Sequence, residues 1–456
     1  MTHQGSQVFA KYETIGEEDV EKNSQEEETT VYTKRWFVLL LFCLCSLTNG
    51  TQWIQFASIS TTIADFYQVS QAQVNWLSLV YMVVYIPLIF PVTKMLDYCG
   101  LRTIILCGSF LNALAACIKI ACAEQDRFWL LLTAQVIASL AQVFTLGMPP
   151  KVAATWFHGR QVSTATACGV FGNQLGNALG FLMPVNMVPS SSSSSVSETR
   201  AGLFKMYLAM GLITSVIFIL SLVFFDAKPK TPPSAAQHAF ELHRNQKSKE
   251  PYYMQIKTFL NSRTTILLTV SYGILTGVFY AVTTLLAQEV LFYFPGHDTD
   301  VGNLGLVIIF TGLVGAIIGG VLLDRTKRFK LVSLTTYVFS VLGLVMFVVV
   351  LSRNRMWLIY VASGVMGFFL SGYLAIGFEF AAELTFPTSE DVTGGTLNAC
   401  AQIVGIVLIL VMGHIIDVQP NGILYANVIM VVLLSVGCFL IVFIKEELRR
   451  FNASIS

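Results

Sequence analysis

Twelve long stretches of this 456-residue chain carry no Asp, Glu, Lys or Arg at all: Trp36–Ala64, Phe66–Thr93, Thr103–Ile118, Phe128–Pro150, Gln161–Ser197, Met206–Phe225, Thr264–Gln288, Val301–Leu323, Leu331–Ser352, Met356–Phe378, Val392–Ile416 and Val418–Ile444. A bilayer is crossed by about 20 mainly apolar residues in a helix, and a dozen such runs leave too little polar surface for a water-soluble fold. Charged residues make up 12% of the chain, against roughly a quarter in soluble domains. An integral membrane protein is therefore expected, and a soluble enzyme is excluded. The third run is short and closes on Lys119, whose long stem would let its ammonium reach an interface. The fifth run ends in the tract Ser190–Ser195, so its helix is expected to stop near Pro184.

Between the runs the composition changes. Residues 1–33 are acidic and lack apolar periodicity, which reads as a disordered tail rather than a cleaved leader. Residues 226–263 hold Pro229, Pro232, Pro233 and scattered charges, the composition of a linker. They divide six runs (34–225) from six (264–446), and residues 447–456 form a short tail. Lys and Arg near the run ends fall mostly on one side, which holds both termini and the linker, so that side is expected to be cytoplasmic. The net charge of +1 gives no pull toward nucleic acid. None of the nine cysteines forms a CxxC pair or clusters with histidine, so no metal or other cofactor is expected.

The two groups of six carry matching features at one offset, as internal repeats should. Asp97 and Asp324 are separated by 227 positions, Trp53 and Tyr280 also by 227, and Gln174 and Gln402 by 228. The expected fold is an all-α membrane protein of twelve transmembrane helices in two pseudo-repeated six-helix halves. That plan, with TKMLDYCGLR after the second run, resembles the major facilitator superfamily. Asp97, Gly100 and Arg102 match the superfamily's loop motif, with Thr93 where its leading glycine is usual. A second copy, GVLLDRTKR, keeps Gly320, Asp324 and Arg325 but has Lys327 in place of the second glycine. The resemblance implies a charge clamp between the halves, made and broken as a transporter rocks; ordinary helix-end charge is the competing reading.

Substrate sites in such folds lie near the midplane between the halves. Trp53 and Tyr280 lie at matching depths in the first and seventh runs, and two aromatic faces across a cavity suit a cation. Either could instead be an interfacial belt aromatic, a reading that their shared offset weakens. The interior otherwise offers amides: Asn49, Asn75, Gln135, Gln142, Asn173, Gln174, Asn398 and Gln402. Most would serve to hold helices together; Gln174 and Gln402, repeat-equivalent and near mid-span, are the candidates for a substrate. No Asp or Glu lies at mid-depth, so no proton or sodium site is evident and uniport is favoured.

Longer motifs narrow the resemblance. NGTQWIQF, NWLSLVYMVVYIPLIFP, LDYCGLR, AQVFTLGMPPKVAATWF, GNQLGNALGF, TGVFYAVTTLL, GYLAIGFEFAAELTFP and LNACAQIVGI are similar to the feline leukaemia virus subgroup C receptor family of major facilitators, from Trp36 to about Asn452. The N-terminal tail lacks the His-Pro-rich repeats of some members. The resemblance implies facilitated transport of choline, and of ethanolamine in some members, by a monomer in the plasma membrane or an intracellular membrane. By motif position Trp53 and Tyr280 match the aromatic pair around the choline headgroup, and Asn49, Tyr81, Met82, Gln174 and Gln402 match positions that close the pocket. Haem transport is the alternative within the family. It would want an axial His or Cys, and of the six histidines only His414 lies within a run. A non-transporting receptor or scaffold is the third reading.

Overall fold

The computed structural model describes residues 33–157, 161–190, 194–229, 262–353, 355–385 and 390–446. Among them the regular structure is entirely helical. The first half comprises α1 (Lys34–Ile54), α2 (Ser60–Tyr67), α3 (Gln71–Ile120), α4 (Phe128–Thr145), α5 (Pro149–Trp156), α6 (Val162–Met187) and α7 (Val196–Phe224). The second comprises α8 (Arg263–Tyr293), α9 (Asp298–Thr326), α10 (Phe329–Leu351), α11 (Met356–Leu370), α12 (Tyr373–Thr385), α13 (Glu390–Val418) and α14 (Gly422–Val442).

Among the described residues the twelve spans become fourteen helices, because three spans break and two join. The first span breaks over residues 55–59 into α1 and α2, and the tenth at Ser371–Gly372 into α11 and α12. The fourth breaks before Pro149, which opens α5 at a position where a missing N–H costs nothing. Spans two and three run together as α3, turned at Gly100, whose φ of 77° and ψ of 168° belong to glycine alone. Among the described residues, eleven helical stretches are long and apolar enough to cross a membrane. The twelfth span is α6, whose glycines and amides dilute its apolar character.

Two expectations need correction. α6 continues through Pro184 to Met187, because a proline near a helix end removes little from the ladder that the preceding turns have built. Lys119 does not reach an interface: it is 1% exposed, and its Nζ donates to Gln52 Oε1 at 2.8 Å. The expected tail apart from Thr33, the linker between 230 and 261 and the C-terminal tail lie outside the described residues.

One close packing recurs in pseudo-equivalent form in the two halves, α1 on α6 and α8 on α13. Gly172, Gly176 and Gly180 line up one turn apart along α6 and admit the backbone of α1. A Cβ at Gly176 would stand 2.0 Å from the Leu47 carbonyl oxygen, and Thr51 Oγ1 donates to the Gly176 carbonyl at 3.0 Å. The halves meet chiefly where α6 packs on α9 and α3 on α13. At the end opposite the termini this contact is close: a Cβ at Gly305 would overlap the Phe181 ring, and Gln288 Nε2 donates across the interface to Asn75 Oδ1 at 2.8 Å.

Candidate substrate site

Where the two halves meet, Trp53 and Tyr280 touch. Their ring centroids are 5.5 Å apart at an interplanar angle of 88°, an edge-to-face contact. Trp53 lies in the last turn of α1, just before the break that ends it, and Tyr280 lies in the middle of α8. From Ser271 to Val290 every residue of α8 is buried except Tyr280. Its side chain is therefore partly accessible where its neighbours along this stretch are not. The indole Nε1 of Trp53 is buried without a protein partner.

Two further elements close on the pair. A Cβ at Gly405 of α13 would come within 3.2 Å of the Tyr280 ring and 3.3 Å of Met82 Sδ, so Met82 from α3 and the bare backbone of Gly405 flank Tyr280. Gln402 precedes Gly405 by three positions and so shares its helix face. It is buried, with Oε1 unpartnered. Gln174 on α6 is half-buried and accepts a hydrogen bond from Asn177 Nδ2 at 2.9 Å. Tyr81 and Asn49 belong to a buried polar network behind the pair. Tyr81 Oη donates to Gln135 Oε1 at 3.4 Å, and Gln135 Nε2 donates to the carbonyl of Gln52 at 3.2 Å. Asn49 Nδ2 donates to Asn112 Oδ1 and to the Ala138 carbonyl, both at 3.0 Å, which leaves only its Oδ1 uncommitted.

The structure thus brings Trp53, Tyr280 and Met82 together, places Gln402 on the adjoining face, and turns Tyr81 and Asn49 toward partners inside the first half. Gly405, Gln52, Gln135 and Asn112 were not singled out from the sequence for this site. For Gly405 the signal was present in the motif AQIVG, since a glycine three residues after a candidate amide leaves room beside it.

Of the loop-motif residues, Gly100 forms the elbow of α3, and Arg102 Nη2 donates to the Leu222 carbonyl at 3.1 Å, within its own half. Arg325 is exposed, and the side chains of Asp97 and Asp324 lie outside the described residues. His414 is exposed on α13. Among the described residues, no three His, Cys, Asp or Glu side chains gather as a metal site would require.

Residues 40–390 match the Major Facilitator Superfamily profile. The chain is 42% identical over 431 residues to the choline/ethanolamine transporter flvcr2a of Danio rerio, covering 94% of this chain and 90% of that one. It is 41% identical over 435 residues to the choline/ethanolamine transporter FLVCR1 of Felis catus, covering 95% and 77% respectively. In fold it is similar to a bacterial homologue of the human lysosomal transporter Spinster, solved in an inward-facing and unoccupied conformation, with a TM-score of 0.68 at 13% identity over 90% of this chain and 97% of that one. The fucose:proton symporter of E. coli aligns with a TM-score of 0.61 at 14% identity, over 91% and 98%.

Proposed function

The chain belongs to the major facilitator superfamily and, within it, to the feline leukaemia virus subgroup C receptor family of transporters, and from that membership we propose that it carries choline, and ethanolamine, across the membrane by facilitated diffusion. The reading rests above all on the edge-to-face contact of Trp53 with Tyr280. A trimethylammonium group binds by parting the two rings and taking their π faces, since a desolvated cation–π contact is worth about 2 kcal/mol or more. Met82 and Gly405 set the width of that space, and Gln402 and Gln174 address the hydroxyl or amine end. Alternating access is supported by the way the halves join, through close contacts at the end opposite the termini.

In this scheme Asp97, Gly100, Arg102, Asp324 and Arg325 bias the equilibrium between the two open forms without touching substrate, so Asp97→Asn slows turnover and leaves binding intact. The site works in a monomer, and the plasma membrane with cytoplasmic termini is the setting that the Lys and Arg distribution supports. Uptake of radiolabelled choline and ethanolamine into cells lacking their own transporter tests the proposal. Saturable uptake of either is the expected result, and efflux of a haem analogue with no uptake of either would overturn it.

A further inference from the structure

We propose that the broken end of the first span is a cation site, and that the Lys119 ammonium fills it as a tethered, permanent occupant. α1 stops at Ile54, and residues 55–59 form turns before α2 resumes at Ser60. The carbonyl end of a helix carries partial negative charge. In transporters with interrupted helices, such ends together with unwound carbonyls coordinate small cations. Into the last turn of α1 comes Lys119 from α3, with Nζ 2.8 Å from Gln52 Oε1 and 5.6 Å from the centroid of the Phe56 ring, and 1% of the residue exposed. The last turn of α1 therefore offers an ammonium an amide oxygen and an aromatic face.

The acceptor cannot swing away. Gln52 Nε2 donates to both the carbonyl and Oδ1 of Asn112, at 3.1 and 2.9 Å, and Asn112 Nδ2 donates to Thr48 Oγ1 at 3.0 Å. This network fixes the turn of α1 that carries Trp53. Lys119 is thus a positioning residue for the aromatic site, and its charge stands where a freely exchanging co-ion would otherwise be needed. The consequence for coupling rests on the transport reading above, whereas the cation site itself does not.

The purified full-length protein in lipid nanodiscs provides a test that needs no transport. K119A should lower the thermal unfolding midpoint by several degrees. Propylammonium, which restores the atoms removed, should regain at least half of that loss beyond any shift it causes in the wild type, and propan-1-ol should not. K119M, which fills the same space without charge, should be destabilised and unresponsive. Restoration by propan-1-ol equal to that by the amine, or a K119M protein as stable as the wild type, would overturn the assignment. Should K119A give no folded protein, K119R is expected to fold and K119M is not; identical behaviour of the two would overturn it equally. In cells, wild-type choline uptake should be unchanged when sodium is replaced at constant potential. Wild-type protein that moves neither choline nor ethanolamine would remove the transport reading while leaving the thermal result to decide the cation site.

Discussion

At the scale of single residues, the contrast that matters is between a ring and mere bulk. Tyr280→Phe keeps the π face and is expected to retain most choline uptake, whereas Tyr280→Leu and Trp53→Ala each remove one face. A loss of about 2 kcal/mol corresponds to roughly thirtyfold weaker binding, readable as a raised half-saturation concentration at equal surface expression. Equal uptake by the Leu and Phe variants would mean that the rings only fill space. Gln402→Ala should alter the ratio of choline to ethanolamine uptake more than the affinity for either, since an amide addresses hydroxyl or amine hydrogens. The pair was legible in the sequence because depth along a helix and a repeat offset are both counted in residues. The network that joins Gln52, Asn112 and Lys119 was not, although Gln135 was among the amides expected to hold helices together. In an uncharged run, nothing distinguishes the face that meets lipid from the face that meets another helix, so a lysine at a run's end looks like an anchor when it points inward.

At the scale of elements, the turn after the loop aspartate falls at the same repeat position in both halves but is made differently. Gly100 and Lys327 are separated by the same 227 positions as the aromatic pair, and both have positive φ, 77° and 53°. The second half makes its turn after the loop aspartate with a lysine in the left-handed region where the first half has glycine. Gly100→Ala is therefore expected to cost about 1–3 kcal/mol through backbone strain alone, since no atom lies within 4 Å of the added carbon. Gly176→Ala should cost a similar amount for the opposite reason, a carbon driven into the Leu47 carbonyl. Gly320→Ala, helical and unobstructed, is the neutral control. Thermal unfolding of the three purified variants separates strain, clash and tolerance. The motif GNQLGNALG reads in sequence as a candidate site around Gln174; in the fold its glycines serve the approach of α1 to α6, and only the three-dimensional pairing reveals that division of labour.

At the scale of the whole molecule, the contacts between halves at the end opposite the termini describe a carrier closed on that side. Under the alternating access proposed above, the Asn75–Gln288 hydrogen bond and the Gly305–Phe181 contact are what would separate to give the other open form. Gln288→Ala removes one of them, and cysteines introduced beside Asn75 should then react faster with an impermeant thiol reagent added from that side. Unchanged labelling would show that the hydrogen bond does not hold the closure. The same chemistry checks orientation: a cysteine in the Ser190–Ser195 tract should be labelled in intact cells, and one replacing Lys249 or Ser456 only after permeabilisation. The division into two halves was readable from the order of apolar runs and the charges between them, because hydropathy and charge are properties of segments. Which side is shut depends on pairings between distant helices, and no segment carries that information.

The uncharged surroundings of the aromatic pair also carry an electrical signature. With Met82 and Gly405 against Tyr280, an empty carrier working as proposed would move no substrate charge on reorienting, and a loaded one would move a single positive charge. Each complete cycle should therefore register as a current that saturates with choline and grows as the membrane interior becomes more negative, by about 2.3 kcal/mol of driving force per 100 mV. Exchange of labelled for unlabelled choline, in which the loaded form travels both ways, should register none. A voltage clamp would then meter the protein's traffic directly, without a radiolabel.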